Sequence, residues 1–140
     1  MSEIPNFSQF KQYSLINKQI INSLIKLSNK SIKGKSYLLL HKNKKKKLHE
    51  ILICQKKGFP IKPHININSS KSYTIIKGKM NVVFYNLKGK IIKKIRVIDK
   101  KNFYIRFKKK IIHTIVPISK HCIYFETVLG PHKKTKFFDF

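Results

Sequence analysis

Acidic side chains are scarce in this sequence. Five Asp and Glu stand against 32 Lys and Arg over 140 residues, a formal charge of +27. Arginine is scarce as well, with Arg96 and Arg106 the only two. Base-edge readout and bidentate phosphate clamps draw on Arg, so the shortage argues against sequence-specific nucleic-acid recognition. The lysines are spread from Lys11 to Lys136, with one dense run, KNKKKK, at Lys42 to Lys47. That distribution reads as a solvated basic surface that would meet nucleic acid only non-specifically. Cysteine is limited to Cys54 and Cys122, which form no CxxC pair. Both lie in apolar runs and read as two buried thiols of a reducing compartment. No apolar run approaches the ~20 residues needed to span a bilayer. The opening MSEIPNFSQFKQYSL carries an early acid and a proline and no continuous apolar core, so no secretory signal and a cytoplasmic location are expected. Gly-rich phosphate loops and G-x-S-x-G elbows are missing too.

What is present is enough for a core. The hydrophobic fraction of 41% argues against disorder despite the charge, and a chain of this length can bury roughly two thirds of its unfolded surface. From Asn17 to Asn29, Ile20, Ile21, Leu24, Ile25 and Leu27 recur at helical spacing, with Asn17 as the expected cap and Gly34 as the expected stop. Everything afterwards reads as seven or eight short strands. SYLLLH, HEILICQ, SYTIIKG, KMNVVFYN, KIIKKIRVI, NFYIRF, IIHTIVPI and HCIYFETVLG are separated by turn signals. In KMNVVFYN the residues Met80, Val82 and Phe84 alternate with Asn81, Val83 and Tyr85, as in a sheet. Pro60 and Pro63 keep KKGFPIKP out of any ladder, and Gly89 suits a hairpin loop. The pattern predicts an antiparallel all-β sandwich or barrel led by one helix.

Small β-barrels assemble sites from inward side chains of neighbouring strands. His64 precedes SYTIIKG, and His113 lies within IIHTIVP. With HEILICQKKGFPIKPH, KSYTIIKGKMNVVFYNLKGKII and the FETVLGPH ending, the chain resembles the cupin superfamily, and more closely the WbuC-like cupins. The resemblance runs from about Ser36 to the C-terminus. It implies a double-stranded β-helix (jelly-roll) barrel over residues 36–140, with residues 1–35 as an N-terminal helical segment of a single domain. It also implies a divalent transition metal held by three histidines and a glutamate, and a link to surface-polysaccharide or nucleotide-sugar metabolism.

Matched to that motif, His64 and His113 take the places of the first and last metal ligands. Asn66 stands at the second histidine and Lys71 at the glutamate. Lys108 and Lys110 replace the usual Pro and Gly before the final histidine. No shift of register restores the set: Asp and Glu are absent between Glu50 and Asp99, and His64 is the only histidine between His49 and His113. An ammonium has no lone pair to offer a metal, so metal binding is expected to be weak or lost. An inward Lys71 would instead form a donor-rich floor with Asn66, His64 and His113, suited to a carboxylate, phosphate or sugar hydroxyls. The opposing expectation is that Lys71 points to solvent and that Asn66, Asn68, Ser69 and Ser70 are turn residues. Glu126 either faces the pocket as a base or pairs with a lysine. His41, His49, His121 and His132 show no mutual ligand spacing and read as surface or packing residues. Two functions stay open. One is an enzyme on a sugar-like substrate, with His64, His113 and Glu126 as candidate catalytic groups. The other is a non-catalytic basic module for polyanions. Cupins often pair, so a homodimer is also expected.

Overall fold

A computed structural model describes residues 2–3, 13–67, 69–131 and 135–140 of the chain. Asn68 and His132 lie outside them. The helix α1 (Lys18–Lys30) forms where the spacing predicts, and the Asn17 Oδ1 accepts the Ile20 N–H at 3.1 Å. Its end differs from expectation. The helix stops at Lys30, with Ser31 extended, and Gly34 belongs to the next turn, donating its N–H to the Ser31 carbonyl.

The strands are β1 (Ser2–Glu3), β2 (Lys35–Leu39), β3 (Leu48–Lys56), β4 (His64–Asn66), β5 (Lys71–Lys77), β6 (Lys79–Tyr85), β7 (Ile91–Ile98), β8 (Tyr104–Phe107), β9 (Ile112–Pro117), β10 (His121–Leu129) and β11 (Thr135–Phe137). This exceeds the seven or eight expected. β1, β4 and β11 have two or three residues each, too few for alternation to show. The first sheet has the order β1-β2-β3-β10-β5-β8 and the second β11-β4-β9-β6-β7. Pairing is antiparallel throughout, apart from the short parallel contact of β1 with β2. The expected barrel is thus two hydrogen-bonded sheets, each with its own edges.

Strand parity produces two apolar layers. Ile53, Tyr73, Ile75, Cys122 and Tyr124 of the first sheet meet Met80, Val82, Phe84, Val97 and Ile115 of the second. The opposite face of the first sheet presents Leu38, Leu52, Cys54 and Ile123 to Leu24 of α1. Full burial of each such aliphatic side chain is worth roughly 1.5–3 kcal/mol, which holds a helix too short to be stable alone. Cys54 and Cys122 are both buried and free. They face opposite sides of the sheet, with Cys54 Sγ near Ser28 Oγ on the helix side. Among the described residues no helix is long and apolar enough to cross a membrane.

Gly78 is the single residue between β5 of one sheet and β6 of the other, at φ +94°. A Cβ there would lie 2.6 Å from the His121 carbonyl oxygen. Gly78→Ala is therefore expected to cost about 2 kcal/mol or more, combining left-handed strain with the backbone contact. A urea midpoint indistinguishable from that of the unaltered protein would show that this crossing does not need glycine.

Candidate functional site

Parity also decides which polar groups enter the space between the sheets. On β5, Lys71, Tyr73 and Ile75 are buried in alternation. On β10, Tyr124 and Glu126 share the inward face, and Glu126 lies opposite Tyr73 in the ladder. On β4 and β9, His64 and His113 are direct register partners, with ring centroids 4.5 Å apart. A cavity of about 290 Å³ is lined by Lys35, His49, His64, Asn66, Lys71, Glu126 and Thr135, with Ile51, Ile53, Ile61, Ile115 and Phe137 among its apolar walls.

The two expectations for Lys71 are thus resolved inward: its residue is 4% exposed. The Nζ lies 2.7 Å from Glu126 Oε1 and 3.5 Å from His113 Nε2, and 5.6 Å from the centre of the Tyr73 ring. Glu126 does both things open to it, facing the cavity and pairing with a lysine. Burial pushes its carboxyl pKa up, but the charge and hydrogen bond of Lys71, with His64, more than reverse this and hold it below the usual value.

The histidines are held by their own backbone. His64 Nδ1 lies 3.0 Å from the Lys62 carbonyl and His113 Nδ1 2.9 Å from the Ile111 carbonyl. A carbonyl only accepts, so each Nδ1 carries the proton and each Nε2 keeps its lone pair. Burial, then Lys71, lowers His64 to about 4 and His113 to about 2. Both rings are neutral near pH 7. His113 is further enclosed by Phe107, at 4.6 Å between centroids.

This donor set does not fit a transition metal. Two imidazole nitrogens are present, but the Lys71 ammonium already lies against His113 and Glu126. A cation there repels a second one, and Asn66 offers a weak neutral oxygen at best. Among the described residues no group of three or more His, Cys, Asp or Glu could hold a metal ion. Among the described residues, the metal roles given to His64 and His113 by resemblance therefore have no third and fourth ligand beside them. Lys110 adopts φ +62°, a left-handed conformation that favours glycine, the residue the resemblance would put there.

Ser69 lies outside the strands and bonds the Leu129 carbonyl at 2.7 Å. His121 is a packing residue that contacts Asn29 Oδ1 of α1 at 2.8 Å. His49, read as surface or packing, is buried at the cavity wall and stacks on His41, with centroids 4.1 Å apart. Lys35 was missed altogether, because a strand begun at Ser36 hides its parity. Ser36 bonds the Leu24 carbonyl on the helix side, so Lys35 and Tyr37 turn inward.

A family model, Domain of unknown function (DUF6016), matches residues 16–97, more than half of the chain. The chain belongs to the DUF6016 family. No curated protein is similar to it in sequence. Among solved structures, oxalate oxidase in complex with the substrate analogue glycolate superposes with a TM-score of 0.61 at 11% identity, covering 76% of this chain and 56% of that one. CapF with the inhibitor 3-isopropenyl-tropolone gives 0.61 at 14% identity, covering 74% and 32%. The oxalate decarboxylase of Bacillus subtilis, with Mn(II) centres, gives 0.55 at 14%, covering 66% and 24%. The chain thus spans about half the length of oxalate oxidase and less of the others. These neighbours are cupin-fold proteins, and at such identities the likeness speaks for the fold alone. Within it, this DUF6016 member carries the Lys71–Glu126 pair and two neutral imidazoles.

Proposed function

We propose that this protein binds a small anionic, sugar-like molecule in the cavity between its sheets, without a tightly held metal. One observation carries the reading. The buried Lys71 ammonium stands between Glu126 and His113, inside a cavity lined, among the described residues, by two lysines and a single carboxylate. With the imidazoles neutral, Lys35 and Lys71 against Glu126 leave one positive charge for an anion to balance. His64 and Asn66 supply a lone pair and an amide for hydroxyl groups, while His113 backs Lys71 from behind the cavity wall. The WbuC-like order of the sequence segments adds support for a sugar-derived ligand and for a role near surface-polysaccharide or nucleotide-sugar metabolism. We read the chain as one cupin unit, with residues 1–35 as its helical segment.

A second reading has its own observation. A cleft of about 680 Å³ beside β8 is lined by Tyr104, Arg106, Lys108 and Lys109, which suits a polyanion on a basic surface.

Calorimetry with D-glucuronate and D-glucose tests the first reading. Glucuronate is expected to bind at least about tenfold more tightly, equivalent to ~1.4 kcal/mol. Equal affinities would refute an anion site. Elemental mass spectrometry after growth with added Fe, Mn, Ni, Co, Cu and Zn should find substoichiometric metal. Near-stoichiometric metal lost in His64→Ala would overturn the metal-free reading. Affinity for a single-stranded oligonucleotide that survives moderate salt would favour the second reading.

A further inference from the structure

Lys35 enters the reading above only as a charge, and its amine has a chemistry of its own. It starts β2 and its side chain lies on the inward face. The two amines of the cavity differ in kind. Lys71 is paired with Glu126 and lies against His113, whereas Lys35 has no ion pair or side-chain hydrogen bond among the described residues. Lys35 also lines a second, larger cleft of about 710 Å³, formed with Lys33, Lys62, Phe59, Pro60, Ile61 and Phe137. Ile61 and Phe137 belong to both spaces. Lys35 therefore stands where an outer cleft, part apolar and part basic, meets the inner cavity, within the electrostatic reach of Glu126 and Lys71.

We propose that Lys35 forms a covalent imine with a short oxo acid whose carboxylate lies toward Lys71. The inference rests on the anion reading above and names the ligand class more narrowly. In the step, the neutral Lys35 amine adds to the carbonyl carbon, forming the N–C bond while the carbonyl electron pair moves to oxygen. Proton transfer and loss of that oxygen as water leave a protonated imine. The net change is ammonium plus carbonyl to iminium plus water, so no oxidant or reductant is needed and the cavity keeps its charge. Glu126 stabilises the cation before and after. Neighbouring positive charge and desolvation are the usual means of keeping a lysine nucleophilic. Both operate here: burial pulls Lys35 down to about 8, opposed by Glu126 and assisted by Lys71 and Lys33.

The test uses the full chain with pyruvate and cyanoborohydride at pH 7, followed by peptide mapping. Reductive labelling of Lys35 is expected to outpace that of a typical exposed lysine about a hundredfold, in line with its larger neutral fraction. Lys35→Arg, which keeps the charge, should abolish that adduct and leave the other lysines labelled as before. Acetone, the uncharged counterpart, should label Lys35 at least about tenfold more slowly, because it lacks the carboxylate that Lys71 would hold. Even labelling across the lysines overturns the inference. So does an unlabelled Lys35 in protein that still binds glucuronate, and that outcome leaves the anion reading intact. Labelling of Lys35 by pyruvate and acetone at equal rates refutes the oxo-acid assignment, and loss of glucuronate binding would refute the anion reading beneath it.

Discussion

Glu126→Ala is expected to destabilise the protein by about 3–5 kcal/mol, the usual cost of stranding one member of a buried ion pair. Lys71 is 4% exposed and its ammonium has one carboxylate partner at 2.7 Å. Its other contacts, His113 Nε2 and the Tyr73 face, are neutral. Removing the carboxylate leaves a cation that must shed its proton or admit water. The double variant Lys71→Met/Glu126→Leu removes both charges and should lie within about 2 kcal/mol of the unaltered protein. Denaturant unfolding of the two variants gives the comparison. A Glu126→Ala cost under about 1 kcal/mol would show that solvent screens the pair, as on an open surface. The cavity could then not hold an anion by charge.

Stability should fall on acidification from pH 6.5 to 4.5, and imidazoles should cause it. His113 titrates at about 2 in the folded state against an ordinary 6.5. It is enclosed by Lys71, His64, Tyr73 and Phe107. Its folded value is depressed, so above 6.5 both states are neutral there and nothing is lost. Below 6.5 the unfolded chain takes up a proton that the folded chain refuses. Each pH unit then removes about 1.4 kcal/mol, or roughly 3 kcal/mol by pH 4.5. His64, lowered to about 4, adds to the slope in the same window. Glu126 acts later: its folded pKa is held below the carboxylate value of 4.5, so its stabilisation is present above 4.5 and lost further down. With five acids in the whole chain, carboxylates contribute little to the slope above that point. Urea unfolding at pH 7.0 and 4.5 measures it, and His113→Gln should reduce the difference by about 3 kcal/mol. An unchanged difference in the variant would place the proton uptake elsewhere.

Some parts of the molecule were readable residue by residue because their causes are local. The Asn17 cap and the Ile20, Leu24 stripe of α1 act within two turns of chain, and the parity of β6 acts within seven residues. The helix terminus was misplaced at Gly34, because a glycine serves a cap and a turn equally well. Lys71 reads as lying just ahead of the SYTIIKG strand, open to either the pocket or solvent, whereas β5 begins with it. A lysine at a strand start reads as solvent-facing unless a partner awaits it, and the partner, Glu126, comes from the far end of the chain. Lys35 was missed, and His49 was not placed at the cavity, for a related reason. Their strands, β2 and β3, are buried on both faces, one by α1 and one by the second sheet, and sequence alternation cannot rank two apolar faces.

The sequence by itself determined that the chain is a helix-led β protein, that its surface is basic, and that no carboxylate near His64 in the chain could complete a metal set. Only the tertiary structure decided what replaces that set. Strand pairing sets His64 opposite His113 and brings Glu126 to Lys71 across the β5–β10 ladder. A burial cost for each charge is then offset by the other. That balance depends on distance and desolvation, and neither is a property of the linear chain.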